Sequence, residues 1–123
     1  MFAGVRTVAV YVTQIEKAKE FYSGLLGFGV SADLGPNLCF LRSKSGQVHI
    51  YLEGGHKPSS VDDDTARLSF FLEPEKGVSE TFESLKAAGV ELLQEAPEEV
   101  GDDTHWFQFK DPDGNILEVA GRP

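Results

Sequence analysis

Aromatic, polar and charged side chains alternate with apolar ones along the predicted strands of this chain. They share one strand face and are candidates for ligand contact: Thr7, Tyr11, His49, Tyr51, Arg67, Ser69, Phe71, Trp106, Gln108 and Glu118. Aromatic rings on such a face can stack on a flat molecule or on a cation, and the polar groups can orient it. Because a closed core would not tolerate this many polar groups, the mixture predicts the lining of a cavity.

The three histidines, His49, His56 and His105, are the candidate metal ligands and proton carriers. His49 and Glu53 share a strand face, but an i, i+4 pair on a strand lies about 13 Å apart, which is too wide for one ion. We therefore interpret His49 as a cavity-wall residue or a hydrogen-bonded residue of the sheet. His56 falls in the predicted linker, where we expect it to be solvated. For His105, beside Trp106, an exposed strand end and a role in the site are both open.

The single cysteine, Cys39, bears on redox chemistry and on compartment. One cysteine cannot form an intramolecular disulfide, which is typical of a protein kept in a reducing compartment. Cys39 lies in a short apolar strand, with no acidic or histidine residue placed to activate a thiolate. The sequence predicts a small buried residue rather than a nucleophile, and a cytoplasmic location.

The charge balance excludes several classes of partner. Eleven Lys and Arg residues against twenty Asp and Glu residues give a net charge of −9 at pH 7, and no basic run exceeds two residues. Nucleic acid and anionic membranes, which bind through clustered basic residues, are therefore excluded as partners. No phosphate-binding glycine loop or C-x-x-C pair occurs. No apolar run approaches the ~20 residues of a membrane span, and we expect no secretion signal at the N-terminus.

The first half of the chain predicts the order βαβββ. The strand Val5–Val12 alternates, and Thr13-Gln14-Ile15-Glu16 has the pattern of a capping box at a helix start. An apolar stripe at three- and four-residue steps predicts the helix, which ends at Gly27. The stripe consists of Ile15, Ala18, Phe21, Tyr22 and Leu25. Three further strands are predicted at Phe28–Asp33, Leu38–Arg42 and Gln47–Glu53.

The second half repeats this order at an offset of about 60 residues. After a predicted linker at residues 54–66 come a strand at Arg67–Glu73, a helix ending at Gly89, and three more strands. Those strands are predicted at Val90–Leu93, Thr104–Lys110 and Ile116–Ala120. The fold class is α+β, with two βαβββ modules (about 5–53 and 67–121) in a single domain, 1–123. We expect the modules to form a shared curved sheet around a cup-shaped cavity.

Two motifs resemble those of a known superfamily. Phe21–Phe28 is similar to an F-Y-x-x-x-L-G-F signature after a capped helix, and Asp111–Glu118 is similar to D-P-D-G-N-x-x-E near the C-terminus. Both occur at the expected places in a paired βαβββ order. The chain resembles the vicinal oxygen chelate superfamily, which includes glyoxalase I, bleomycin-resistance proteins, fosfomycin-resistance enzymes and extradiol dioxygenases. The resemblance covers roughly residues 5–120.

In metal-dependent members, the resemblance implies four ligands, one from each of four strands that face into a cup. The corresponding positions here are Thr7, Tyr51, Arg67 and Glu118. A guanidinium stays protonated and has no lone pair for a metal, so Arg67 cannot be a ligand. Only Glu118 matches the implied ligand set. We predict no bound metal and no other cofactor, with Arg67 pairing with Glu118 in place of the ion's charge.

Three functions follow as alternatives. The first is a binding protein that resembles the bleomycin-resistance branch and holds an amphipathic or aromatic, neutral or cationic small organic molecule without catalysis. The second is a metal-dependent lyase, transferase or dioxygenase that uses Glu118 with His49 or Tyr51 as atypical ligands. The third is a non-catalytic module with another partner. In each case the resemblance implies a homodimer in which two chains complete two cups.

Overall fold

The computed structural model describes residues 1, 3–56, 69 and 71–123. The chain divides into two compact units, Met1–Pro58 and Ser59–Pro123, which we call module 1 and module 2. Most of the predicted linker, and the predicted strand start at Arg67, lie outside the described residues. No helix in the described part of the chain is both long enough and apolar enough to cross a membrane.

Module 1 has the predicted order of elements. Its elements are β1 (Thr7–Tyr11), α1 (Ile15–Lys19) with a π-helical continuation (Glu20–Leu25), β2 (Gly29–Asp33), β3 (Leu38–Arg42) and β4 (His49–Glu53). The four strands form a sheet in the order β1-β4-β3-β2. β1 runs parallel to β4, and β3 lies antiparallel to both β4 and β2.

The alternation of the module 1 strands separates a buried face from a polar one. The buried strand residues include Val10 on β1, Leu41 on β3 and Leu52 on β4. α1 contacts β3 and β4 and contributes Ile15 and Ala18 to this core. Burial of each such aliphatic side chain stabilises the fold by about 1.5–3 kcal/mol. Since the apolar set takes one face, the opposite face carries the polar and aromatic side chains.

The helix of module 1 ends before Gly27 as predicted, with φ +89° at that glycine, but it differs from the prediction at its start and in the winding of its last turns. It begins at Ile15 with Gln14 as N-cap, and Gln14 makes no side-chain capping bond. The predicted capping box, which places the N-cap at Thr13, is therefore wrong by one residue. After Lys19 the helix widens, and the N–H of Leu26 donates to the carbonyl of Phe21, five residues back, at 2.9 Å. Because the wider turn rotates later residues around the axis, Leu25 is exposed and not part of the core.

Module 2 repeats the connectivity of module 1. Its elements are β5 (Phe71–Leu72), α2 (Val78–Ala87), β6 (Glu98–Gly101), β7 (Thr104–Lys110) and β8 (Ile116–Gly121). The strand order is β5-β8-β7-β6, with β5 parallel to β8. Phe82 of α2 packs edge-on against Phe107 of β7, with ring centroids 5.1 Å apart. The α+β class and the two βαβββ modules are confirmed, whereas the shared sheet and the cup stay predictions.

The predicted strand Val90–Leu93 is wrong, and the edge strand of module 2 is β6 instead. Residues of the predicted strand form only an isolated bridge, Leu92 with Phe109, and two backbone hydrogen bonds beside it. β6 pairs with the other half of β7, opposite Trp106 and His105. All four β6 residues are exposed. An edge strand exposed on both faces needs no apolar alternation, so its sequence carries no strand signal.

Candidate functional site

The sheet of module 1 brings four predicted site residues, together with Glu53, onto one surface, the polar face of module 1. The parallel pairing of β1 with β4 sets Thr7 beside His49 and Tyr11 beside Glu53. Tyr51 lies on the same face of β4, because side chains at alternate strand positions point to the same side. The sequence predicted this face from alternation. The cross-strand partners follow only from the register.

Aromatic rings are the main apolar component of this polar face. The ring of Phe40 on β3 lies 5.3 Å from that of Tyr51, with the two planes tilted by 34°. Both residues are half-buried, while Tyr11 is 54% exposed. Phe40 was not among the predicted site residues, although its position opposite Tyr51 in the antiparallel pairing of β3 and β4 places it there. A planar molecule can stack on rings held in this way.

His49 is fixed in one orientation by the turn between β3 and β4. The backbone N–H of Ser43 donates to Nδ1 of His49 at 3.2 Å. Because Nδ1 accepts this bond, the neutral ring carries its proton on Nε2. A nitrogen that holds a proton has no lone pair for a metal. His49 therefore offers an N–H donor on the polar face of module 1, in keeping with a wall residue rather than a metal ligand.

A cluster at the end of β4 joins Tyr11, Glu53 and His56, and the sequence did not predict it. Nε2 of His56 lies 2.5 Å from a carboxylate oxygen of Glu53. The His56 ring packs on the Tyr11 ring at 4.6 Å between centroids, tilted by 52°. His56 is exposed, as predicted for a solvated residue, but its ring also has two protein partners that the sequence did not predict. The Gly54-Gly55 pair before it is the sequence signal of the turn that places it.

The polar face of module 2 holds the remaining described site residues. Gln108 on β7 and Phe71 on β5 flank Glu118 on β8 from its two neighbouring strands. Nε2 of Gln108 donates to Glu118 at 3.1 Å. Trp106 shares the Gln108 face of β7 and is half-buried. Phe71 is 62% exposed.

Two further predicted positions border this face. The hydroxyl of Ser69 donates to the carbonyl of Ile116 at 3.1 Å, which ties the chain before β5 to the start of β8. Arg67 lies outside the described residues, so the predicted pairing of Arg67 with Glu118 stays a prediction. His105, on the face of β7 opposite Trp106, has a ring nitrogen 3.7 Å from a carboxylate oxygen of Asp103 in the β6–β7 turn.

The turn between β7 and β8 determines where Glu118 lies. The Asp111 carboxylate is buried and accepts the backbone N–H groups of Asp113 and Asn115, each at 2.9 Å. It also accepts the side-chain N–H of Asn115 at 2.8 Å. These bonds close the turn, after which Lys110 pairs with Ile116 and the antiparallel register continues to Glu118. The Asp and Asn of the D-P-D-G-N motif thus act structurally, as the sequence predicted.

The described positions that the resemblance assigns to metal ligands are a poor donor set. Thr7 and Tyr51 supply hydroxyl groups, which rank below carboxylate, imidazole and thiolate as ligands for divalent ions. Glu118 supplies a carboxylate that already accepts a bond from Gln108. Across the residues that the structure describes, no group of three or more His, Cys, Asp or Glu side chains is arranged to hold a metal. The metal-free state stays a prediction.

Cys39 lies on the buried face of β3, opposite the polar face of module 1. Its side chain is fully buried. Burial raises the pKa of the Cys39 thiol, and the nearby Asp33 carboxylate raises it further. Both effects disfavour the thiolate, which is the nucleophilic form. Cys39 is a core residue, as its apolar neighbours in the sequence predicted.

The sequence matches one protein-family model and a bacterial relative over most of its length. A family model described as the Glyoxalase/Bleomycin resistance protein/Dioxygenase superfamily matches residues 4–119. The uncharacterized protein YetH of Bacillus subtilis (strain 168) is 34% identical over 119 residues, which cover 95% of this chain and 97% of that protein. The match therefore extends over both modules.

Solved structures with low sequence identity share the fold. TnmS3, an antibiotic binding protein from Streptomyces sp. CB03234, is 24% identical with a TM-score of 0.75, covering 99% of this chain and 97% of that chain. Lactoylglutathione lyase from Agrobacterium tumefaciens is 19% identical with a TM-score of 0.74, covering 98% and 94% respectively. These likenesses concern the fold, which hosts both binding and catalysis. Because the family model matches residues 4–119, nearly the whole chain, this protein belongs to the Glyoxalase/Bleomycin resistance protein/Dioxygenase superfamily.

Proposed function

We propose that this protein binds a small organic molecule that is flat and aromatic or amphipathic, and that it does so without a catalytic metal. The observation that carries the proposal is the polar face of module 1, where Tyr11, Phe40 and Tyr51 present rings between hydrogen-bonding groups. Ligand sites combine such apolar surface with a few placed polar groups. The location that we propose for the protein is the cytoplasm, in keeping with its single, buried cysteine.

The hydrogen-bonding groups on this face support a binding role. His49 offers the Nε2–H described above, and the Thr7 hydroxyl lies next to it in the β1–β4 pairing. None of these groups needs a metal in order to orient a molecule.

Net charge narrows the class of ligand. The chain carries −9 at pH 7, so its field favours cationic or neutral molecules over anions. The relative TnmS3 is an antibiotic binding protein, which shows that the same fold can serve binding. Lactoylglutathione lyase has this fold as well, and the experiment below therefore includes a test for metal-dependent activity.

The test is a calorimetric screen of planar aromatic compounds that are matched in size and are cationic, neutral or anionic. We expect saturable binding of neutral and cationic members at one site per chain. Tyr51→Leu, which keeps an apolar side chain but removes the ring and its hydroxyl, should weaken binding about tenfold, as expected for the loss of one stacked aromatic contact of about 1 kcal/mol plus its buried area. Fluorescence of Trp106, the single tryptophan, reports separately whether the polar face of module 2 is contacted.

The matched control is Leu34→Ala, which removes an exposed apolar side chain outside the strands. It should leave the affinity unchanged. Equal effects of Tyr51→Leu and Leu34→Ala would contradict a site on the polar face of module 1. Turnover of any compound, appearing only when Zn²⁺, Ni²⁺, Mn²⁺ or Fe²⁺ is added, would favour the enzymatic alternative instead.

A further inference from the structure

We propose that His56, oriented by Glu53 and Tyr11, is a proton-accepting subsite for the phenolic or enolic hydroxyl of a bound aromatic molecule. The inference rests on the proposed binding function and adds to it the chemical class of ligand. It assigns a role to a residue that the sequence pattern placed in a linker.

The position of His56 is built by backbone hydrogen bonds. Its N–H donates to the carbonyl of Val12 at 3.0 Å, and the N–H of Gly55 donates to Thr13 at 3.1 Å. These bonds fold the segment after β4 back over the end of β1, so that the His56 ring reaches Tyr11. Gly55 has φ +79°, and a Cβ at Gly54 would lie 2.9 Å from a side-chain oxygen of Asn37 and 3.1 Å from Ile15. The turn therefore requires both glycines.

The tautomer of His56 follows from its partner. A carboxylate only accepts hydrogen bonds, so the 2.5 Å contact with Glu53 requires the proton of the neutral ring to lie on Nε2. Nδ1 then carries the lone pair. Within the described part of the chain, Nδ1 of His56 makes no hydrogen bond, and the side chain is 40% exposed. His56 thus presents an acceptor, the opposite of His49, whose Nδ1 is already occupied and which presents an N–H.

This arrangement favours removal of a proton from a weakly acidic hydroxyl. When a ligand O–H meets Nδ1, its O–H bond breaks and an N–H bond forms at Nδ1, while the electron pair stays on the ligand oxygen. The imidazolium that results keeps the Glu53 carboxylate as the acceptor of its Nε2–H and lies against the Tyr11 ring. The described groups that contact the His56 ring are Glu53 from β4 and Tyr11 from β1. The Tyr11 ring also offers a surface on which the aromatic part of the ligand can lie.

The experiment uses 4-nitrophenol and its methyl ether, 4-nitroanisole, with the full chain. The phenol and its phenolate absorb at different wavelengths, so the spectrum of the bound probe reports proton transfer directly. We expect bound 4-nitrophenol to appear as phenolate at a pH where the free probe is neutral. His56→Gln should abolish this shift and weaken 4-nitrophenol binding about tenfold, the value of one lost charge-assisted hydrogen bond. Binding of 4-nitroanisole, which has no proton to give, should be unchanged in this variant.

Two further variants separate the role of the pair from a general structural effect. Glu53→Gln keeps an acceptor oxygen for Nε2 but removes the charge, so it should reduce the phenolate fraction while leaving 4-nitroanisole binding intact. His105→Gln is the matched control, because it removes a histidine on the opposite face of β7, and it should behave like the wild type. Circular dichroism establishes that each variant is folded.

The outcomes distinguish this inference from the proposed function. If neither probe binds, the proposed binding function and the His56 subsite are both refuted for planar aromatic ligands. If both probes bind but 4-nitrophenol stays neutral, or if His56→Gln retains the phenolate spectrum, the binding function stands and the His56 subsite is refuted. A shift that is lost equally in His56→Gln and His105→Gln also refutes it, because the effect would then not depend on the Glu53 pairing.

Discussion

Replacement of Asp111 by alanine is the perturbation whose cost the structure defines most fully. The buried Asp111 carboxylate accepts three hydrogen bonds, from the N–H of Asp113, the N–H of Asn115 and the side-chain amide of Asn115, at 2.8–2.9 Å. Alanine keeps the backbone but removes every acceptor. The three donors then lose their partner in the turn that sets the register of β8.

The magnitude follows from these three bonds. A typical hydrogen bond contributes a net value of about 1 kcal/mol, and bonds to a charged acceptor contribute more. Because Asp113 and Asn115 are only half-buried, water can reach their donors, and the lower value applies. We expect Asp111→Ala to reduce the free energy of unfolding by about 3 kcal/mol, a large part of the 5–15 kcal/mol of a typical domain.

Two matched variants separate the contributions of the individual Asp111 hydrogen bonds to the free energy of unfolding. Asp111→Asn keeps one acceptor oxygen for the two backbone N–H groups, but its amide meets the amide of Asn115, so about 1–2 kcal/mol should be lost. Asn115→Ala removes the side-chain bond to Asp111 and keeps the backbone N–H bond, and the loss of that one bond should cost about 1 kcal/mol. The assay is equilibrium unfolding in urea, followed by circular dichroism, with the denaturant slope checked for constancy.

The reasoning would be refuted by either of two results. The first is a loss below ~1 kcal/mol for Asp111→Ala, which would mean that solvent or a shifted turn replaces the carboxylate. The second is an equal loss for Asp111→Asn and Asp111→Ala, which would mean that acceptor oxygens do not explain the effect. A double-mutant cycle of Asp111→Ala with Asn115→Ala should show positive coupling, since the two changes remove one shared bond.

Three further predictions concern the thiol, metal content and assembly. Cys39 should resist alkylation until urea unfolds the chain. Because burial raises its pKa above that of the unfolded thiol, the free energy of unfolding relative to Cys39→Ala should be constant below pH ~8.5 and should fall as the pH rises further. Protein purified without chelators should contain well under one Zn²⁺, Ni²⁺, Mn²⁺ or Fe²⁺ per chain by elemental analysis; a stoichiometric ion lost in Glu118→Ala would contradict the proposed metal-free site. Light scattering at tens of micromolar should show a homodimer, and a stable particle of 13.4 kDa, the mass of one chain, would exclude it.

Several features of the site depend on the register and not on local sequence. Tyr11 and Glu53 are 42 positions apart and become neighbours only because β1 and β4 pair in parallel. Parallel pairing is formed by backbone bonds that carry no residue-specific signature, and a slip of one residue would send every side chain to the other face. This is why His56, whose role depends on both partners, was assigned to the linker from its local composition.

The sequence by itself determined the order of elements, the buried faces and the closing turn. Alternation of Val8, Val10 and Val12 is a local consequence of strand geometry, and the D-P-D-G-N turn forms from bonds within five residues, so both can be read without the rest of the chain. Only the tertiary structure decided the edge strand Glu98–Gly101, the π-helical turn before Leu26 and the Tyr11, Glu53 and His56 cluster. Each of these three features depends on which distant backbone segment or aromatic ring packs against it. The packing of the whole module determines that neighbour, and the periodicity of a single segment does not.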